Sequence, residues 1–214
     1  MKLTEITTAN YKEKTSKENW GFAIEPSREN TEFWINQFNI ENATIHDNLT
    51  VDVEGDVDIG NFRVVKKGMG KLPIKFGKVT GSFNIRGCDL KTLYGCPYEI
   101  GTANNVGLHY YFDAAFNQFK TLDFFPKIIR GNVFMHTSGL TDMHNIHKYI
   151  KEAYYINMDV DVKNILGIFF IKNLTHIAIN DHVDEIINYY LKNHDMHGCQ
   201  EALIEADWAA LARI

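Results

Sequence analysis

The sequence predicts a mainly β chain with helical flanks, an α+β protein built on a parallel β-solenoid of about six short rungs. Three observations carry that reading. A phrase of Thr-Leu, three residues, Pro, two residues and Ile is written twice, as "TLYGCPYEIG" at 92–101 and "TLDFFPKIIRG" at 121–131, 29 residues apart. Apolar pairs spaced by one residue, the mark of a strand with one buried face, recur at steps of 21 from Phe112/Ala114 to Val133/Met135, Tyr154/Ile156 and Thr175/Ile177. Both flanks switch to a 3.6-residue period.

Residues 1–48 form an N-terminal segment ending in a helical cap. "NTEFWINQF" at 30–38 opens on Asn30, a capping residue, and places Phe33, Trp34 and Phe38 at helical spacing. "TVDVEGDVDI" at 50–59 alternates Val51, Val53, Val57 and Ile59 around Glu54-Gly55, a hairpin signal. Residues 49–180 are the solenoid. Its strands are expected at Val57/Ile59, Phe83/Ile85 and the four pairs above, with Gly81 and Gly131 preceding two of them.

Between strands, apolar pairs spaced by three recur at Leu90/Leu93, Phe119/Leu122 and Leu140/Met143, and Pro97 and Pro126 follow two of them. Each rung therefore reads as strand, turn, apolar ledge and extended return. One rung cannot bury its own inner face, so stacking creates the core. A period near 21 residues leaves no room for a full helix on the return, which gives a flat, leucine-rich-repeat-like coil. A β-sandwich or barrel with evenly spaced turns is the competing architecture; equal steps in register favour the solenoid. The longer step between Phe83 and Phe112 is explained by an insertion at 102–111, "TANNVGLHYY", placed in a loop on one face. Residues 181–214 are a second helical cap. Ile186, Ile187, Tyr190 and Leu191 share one face of a first helix, and Leu203, Ala206, Ala210 and the tail share a face of a second.

Composition is that of an ordinary globular chain: 214 residues, 45% apolar, with a net charge of −5 and no lysine/arginine run beyond pairs such as Lys66-Lys67. Nothing in the linear sequence signals a nucleic-acid binder. Three cysteines, Cys88, Cys96 and Cys199, without CxxC spacing read as free thiols. The amino-terminal stretch lacks the apolar core of a signal peptide, and the longest apolar run, "ILGIFFI" at 165–171, is too short for a bilayer, so no membrane partner is expected.

Four stretches taken together, "VDVEGDVDI", "KLPIKFGKVTGSFNI", "TLYGCPYEIG" and "CQEALIEADWAALARI", resemble a family of tailed-bacteriophage proteins made of leucine-rich-repeat-like units of the form G-x-F-x-C-x-x-N-x-L-T-x-L-x-G-x-P. The resemblance covers roughly residues 30–214 and keeps the segments in order. It implies a phage source and a solenoid shape, more than an activity; with the thiols and the missing signal peptide, the expected location is the host cytoplasm. The asparagine-rich turn survives as "AAFNQF" at 114–119 but becomes "RGCDL" at 86–90 and "TSGL" at 137–140.

The chemistry-bearing residues read as follows. Asp52, Glu54, Asp56 and Asp58 lack calcium-loop spacing and fall together on an outward strand face. His144 and His147 are the closest approach to a metal pair, but no HExxH or Cys/His quartet occurs, and no metal or cofactor is expected. "GKVTGS" at 77–82 has its lysine ahead of the glycine it should follow in a phosphate loop. Sugar hydrolysis on a solenoid needs paired carboxylates, and only Asp113 lies on the strand stripe, so the chain is read as non-enzymatic.

The register itself defines the candidate site. If Phe83/Ile85 and their equivalents point inward, the outward stripe holds Asn84 and Arg86, Asp113 and Ala115, Phe134 and His136, Tyr155 and Asn157, and His176 and Ala178. Residues 133, 154 and 175 are expected to stack directly on one another. His109, Tyr110 and Tyr111 of the insertion join the same region or tuck against the coil. Exposed aromatics on a rigid array are anchors for protein partners. The expected function is a phage accessory protein that binds and inhibits a host protein of defence or metabolism; binding of phage proteins, a small-molecule or nucleotide-signal sponge, a virion component and homo-oligomers through the open hairpin edge stay open.

Overall fold

In the computed structural model, which describes residues 26–60, 70–104, 109–159, 161–179 and 181–213, the first described element is helix α1 (Arg28–Gln37). The cap is Ser27 rather than Asn30: its hydroxyl accepts from the Asn30 amide at 3.1 Å. Trp34 and Phe38 are buried and meet in a tilted contact at 5.3 Å between ring centroids, so the helix packs its aromatic side on the first turn. The segment before residue 26, with residues 61–69 and 105–108, lies outside the described residues.

Two sheets follow, wound as one coil. The return sheet has the order β1 (Ala43–Ile45), β2 (Thr50–Val53), β4 (Lys75–Val79), β6 (Glu99–Ile100) and β8 (Ile128–Ile129). The front sheet has the order β3 (Val57–Asp58), β5 (Phe83–Asn84), β7 (Tyr111–Asp113), β9 (Asn132–Phe134), β10 (Tyr155–Asn157) and β11 (His176–Ala178). All pairs are parallel except β1 with β2. Successive front strands belong to successive turns, so six of them enclose about five turns of a β-solenoid.

The hairpin expected at 50–59 is a corner instead. β2 and β3 sit in different sheets, and the hairpin is made one element earlier, by β1 and β2 around His46–Leu49. Glu54-Gly55 turns the chain from one sheet to the other, with Gly55 at φ 129°. Gly131 serves the same kind of corner between β8 and β9: a Cβ there would run into the Tyr110 carbonyl, which accepts from the Asn132 amide at 2.9 Å.

Register is where sequence and structure part. Val57 aligns with Phe83, Phe83 with Phe112 and Phe112 with Val133, as expected. Val133, however, lies beside Ile156, and Ile156 beside Ile177. Residues 133, 154 and 175 are therefore not stacked; Tyr154 is half-buried and Thr175 exposed, not inward. The turn from β9 to β10 carries a short helix, α2 (Ile146–Tyr149), which takes up two more residues than the plain turn before it. The next turn carries a 3-10 helix, Ile165–Phe170, whose Ile165, Leu166 and Ile168 are buried. The stretch leading into the return is thus a plain turn in the early rungs and helical in the last two, while the return itself continues as single parallel bridges from Ile128 to Glu152 to Lys172.

Ledge residues Leu90, Leu93, Phe119, Leu122, Leu140 and Met143 are all buried, with Val162 and Ile165 continuing the series. An aromatic spine crosses the turns, with Phe76–Phe83 at 4.9 Å, Phe83–Phe112 at 6.2 Å and Phe112–Phe125 at 5.2 Å between centroids. Asn117 satisfies the turn that folds away from the strand: its side chain donates to the Ile85 and Ala114 carbonyls at 3.0 and 2.9 Å and accepts from the Leu90 amide at 3.0 Å. At the far end α3 (Asp181–Lys192) substitutes for a further strand. Asn188 accepts from the Ile177 amide at 2.8 Å and donates to the Ile177 carbonyl at 2.9 Å, which pairs the last sheet edge. α4 (Met196–Glu205) packs behind α3; Leu203 is buried there, whereas Ala206 and Ala210 lie exposed beyond the helix end. Among the described residues no helix is long and apolar enough to cross a membrane.

Candidate functional site

The outer face of the front sheet is a grid, because parallel strands about 4.8 Å apart place equivalent outward residues in rows. One row runs Tyr111, Asn132, Tyr155, His176; the row beside it runs Asp58, Asn84, Asp113, Phe134, Asn157, Ala178. The two-residue slip leaves inward/outward parity intact. Tyr155, Asn157 and His176 therefore point outward as expected, but Phe134 stands beside Asn157 rather than Tyr155.

The rings still meet, diagonally. Tyr111 and Phe134 are 6.4 Å apart and Phe134 and Tyr155 5.9 Å apart, both edge-on, and Tyr155 and His176 are stacked at 5.7 Å with an 11° tilt. Four aromatic rings from β7, β9, β10 and β11 form one continuous band. Phe134, Tyr155 and Tyr111 are half-buried and His176 is exposed. Asn157 donates to the Tyr155 hydroxyl at 3.2 Å and Asn188 of α3 lies 3.4 Å from His176, so the band's end is ordered by polar contacts.

A second group sits where the strands give way to turns. Arg86 lies 4.4 Å above the Phe116 ring and 3.3 Å from Asp113, while His136 meets Phe116 at 5.2 Å. Phe116 was not legible from alternation. The chain leaves the strand at Ala115, Phe116 adopts φ 56°, and the pattern inverts: Ala115 is fully buried and Phe116 is 47% exposed.

The insertion divides. Tyr111 is a strand residue of β7, and Tyr110 tucks into the corner, its hydroxyl 3.2 Å from Thr102 Oγ1 and its ring against Gly101. His109 is exposed and makes no part of the band.

The acidic residues also divide. Asp52 is on the return sheet, accepting from the Lys78 amide at 2.7 Å and pairing with His46 at 2.9 Å; Asp56 accepts from the Ser82 amide at 2.6 Å and Asp58 from the Asn84 side chain at 2.9 Å. They are not one outward cluster; Asp56 and Asp58 begin the front sheet, and Asp52 does not. Burial, with the charges of Asp58, Asp56 and Asp113, pushes the Tyr111 hydroxyl above its ordinary pKa. Among the described residues, the front face carries Asp58 and Asp113 at β3–β7 and its rings at β7–β11.

Other chemistry is thin. Asp113 accepts from the Ala115 amide and Arg86, and its neighbours on the adjacent turns are Asn84 and Phe134, so the next carboxylate in its row, Asp58, is two turns away. His147 is packed against Phe170 at 5.2 Å and its pKa is lowered by burial and by Lys148, Lys151 and His144. Cys88, Cys96 and Cys199 are buried thiols in no disulfide. Burial pushes the Cys96 thiol up with help from Cys88, and burial with Asp195 pushes Cys199 up to about 12, which leaves both poor nucleophiles. Among the described residues no three His, Cys, Asp or Glu side chains group as a metal site. Comparison of the chain with protein-family models, with curated proteins and with solved structures returns no match.

Proposed function

We propose that this chain is a phage accessory protein that works as a non-enzymatic interaction module, binding and inhibiting a host protein of defence or metabolism through the front sheet. The observation that carries the reading is the aromatic band: Tyr111, Phe134, Tyr155 and His176 in ring-to-ring contact across four adjacent strands. Partly exposed rings fixed on a rigid array lose little conformational entropy on docking, and aromatic anchors dominate the energetics of protein interfaces. The phage source is supported by the sequence resemblance.

The test is affinity capture from infected host lysate with the native chain and with Phe134→Ala/Tyr155→Ala. A partner held by the native chain and lost by the variant, with little change in melting temperature, is the expected result. Equal capture by both would overturn the reading, and a collapsed melting transition would mean the rings belong to the core. A small ligand carried through purification would favour the sponge reading, and recovery in purified particles the virion one.

A further inference from the structure

We infer that the chain carries a second docking edge, separate from the front sheet, whose occupant is a protein segment with an apolar side chain flanked by carboxylates. The edge lies where two successive turns pass from ledge to return: Tyr94 and Tyr98 before β6, and Phe124 and Lys127 before β8. Tyr94, Tyr98 and Phe124 are 42%, 56% and 59% exposed. Tyr94 and Phe124 meet edge-on at 5.2 Å between centroids. The Lys127 ammonium lies 5.9 Å from the centre of the Tyr98 ring and the Lys71 ammonium 5.8 Å from that of Tyr94.

Phe124 is the residue that folding alone does not account for. The repeated phrase, offset by 29 residues like the strands that follow it, sets Phe124 level with Gly95 of the preceding turn. Both have left-handed backbone, at φ 65° and 97°. Gly95 is required where it stands, because a Cβ there would meet the Ile74 carbonyl at 2.7 Å. One turn later a phenylalanine takes up the same conformation, at a steric cost that glycine does not bear, and keeps most of its ring in water. Strain and an exposed ring both count against stability, and residues held in that way cluster at ligand sites.

Charge selects the occupant. Lys71 and Lys127 each face a ring, and among the described residues neither is in an ion pair. Lys127 stands one residue before β8, outside the group in which Lys78 and Arg130 hold Glu99. Asp123, beside Phe124, is engaged by the Thr121 hydroxyl at 2.9 Å, and residues 61–69, which precede Lys71 closely in sequence, contain no carboxylate. An apolar side chain seats against the corner made by Tyr94 and Phe124, while carboxylates on either side of it reach the two ammonium groups. A polynucleotide fits less well. It brings a charge with every nucleotide to a chain of net charge −5, and rings that meet at 81° are not parallel stacking platforms.

The probes are acetyl-EFEGLE-amide, acetyl-KFKGLK-amide and a short oligothymidylate, each titrated onto the isotope-labelled full chain and followed by NMR of its tyrosine and phenylalanine rings. The expected result is saturable shifts of Tyr94, Tyr98 and Phe124 with the glutamate peptide alone, weakened by added salt and about tenfold weaker in Lys127→Glu and in Phe124→Gly. Phe124→Gly should melt no lower than the native chain, since glycine takes left-handed backbone freely. No shift from the glutamate peptide, an equal response to the lysine peptide, or a preference for the oligothymidylate overturns the inference. So does a clear fall in the melting temperature of Phe124→Gly, which would assign the ring to packing. The edge is also tested apart from the front sheet. Phe134→Ala/Tyr155→Ala should leave the peptide response unchanged, and its loss in that variant would move the binding to the front face and remove the second edge.

Discussion

The two sheets of the coil are built by the same turns and present opposite surfaces. On the return sheet the outward positions neutralise one another: Glu99 sits between Lys78, at 3.0 Å, and Arg130 on the next turn. On the front sheet the outward positions of β7–β11 carry rings, and Arg86, paired with Asp113, also lies over the Phe116 ring. A surface whose charges are satisfied internally gains little from a partner, whereas partly exposed rings gain more. The inner positions beneath both are interchangeable apolar packing, so the difference lies wholly in the residues that alternation turns outward.

The strongest way to break the comparison is to remove what both faces stand on. Phe112 is fully buried between Phe83 and Phe125, at 6.2 and 5.2 Å between centroids. Phe112→Ala should cost about 3–5 kcal/mol, seen as a large fall in the urea midpoint, and should abolish ring contacts on the front face with it. A loss under about 1 kcal/mol would mean the turns do not stack as one cooperative core.

Asn117 comes next. It is 5% exposed and ties the Ile85 and Ala114 carbonyls to the Leu90 amide, so Asn117→Ala strands backbone groups of two adjacent turns. The expected destabilisation is about 2–3 kcal/mol, measured by denaturant unfolding, and Asn117→Asp should not restore it because a carboxylate cannot donate to the two carbonyls.

These two residues also show how much was legible. The period, the inward stripe and the ledge could be read because each is a spacing rule repeated at fixed steps, and Phe112 and Leu122 obey it. Val133 to Tyr154 obeyed the same arithmetic and was two residues short, since α2 lengthens that turn in a way that no spacing of strand pairs encodes. The band survived because a slip of two preserves parity; a slip of one would have buried it. Phe116 escaped for the opposite reason: it lies where alternation ends, at a left-handed residue that the sequence marks only by the asparagine after it. The corner at Glu54-Gly55 looked like a hairpin because both geometries use the same residues, and only the partner strands tell them apart.

A smaller effect tests the return face. Burial raises the Glu99 pKa, but hydrogen bonds from Lys78 and Arg130 and their charges outweigh it, so the carboxyl is held below its ordinary 4.5. A depressed folded-state pKa gives stability that is present above the unfolded value and is lost as the pH falls through the folded one. Glu99→Gln should therefore lower stability by at most about 1 kcal/mol at neutral pH, and melts of the two proteins should converge as the pH drops below the ordinary carboxylate range. A gap that persists in acid would assign the effect to packing instead.

The smallest expected effect sharpens the comparison most. Arg86 is 43% exposed along its side chain, so its contacts with Phe116 and Asp113 are screened by water. Arg86→Ala should move stability by about 0.5 kcal/mol, near the limit of a thermal melt. A loss above about 1 kcal/mol would mean that solvent does not screen these contacts and that Arg86 locks the turn after β5 to the one after β7.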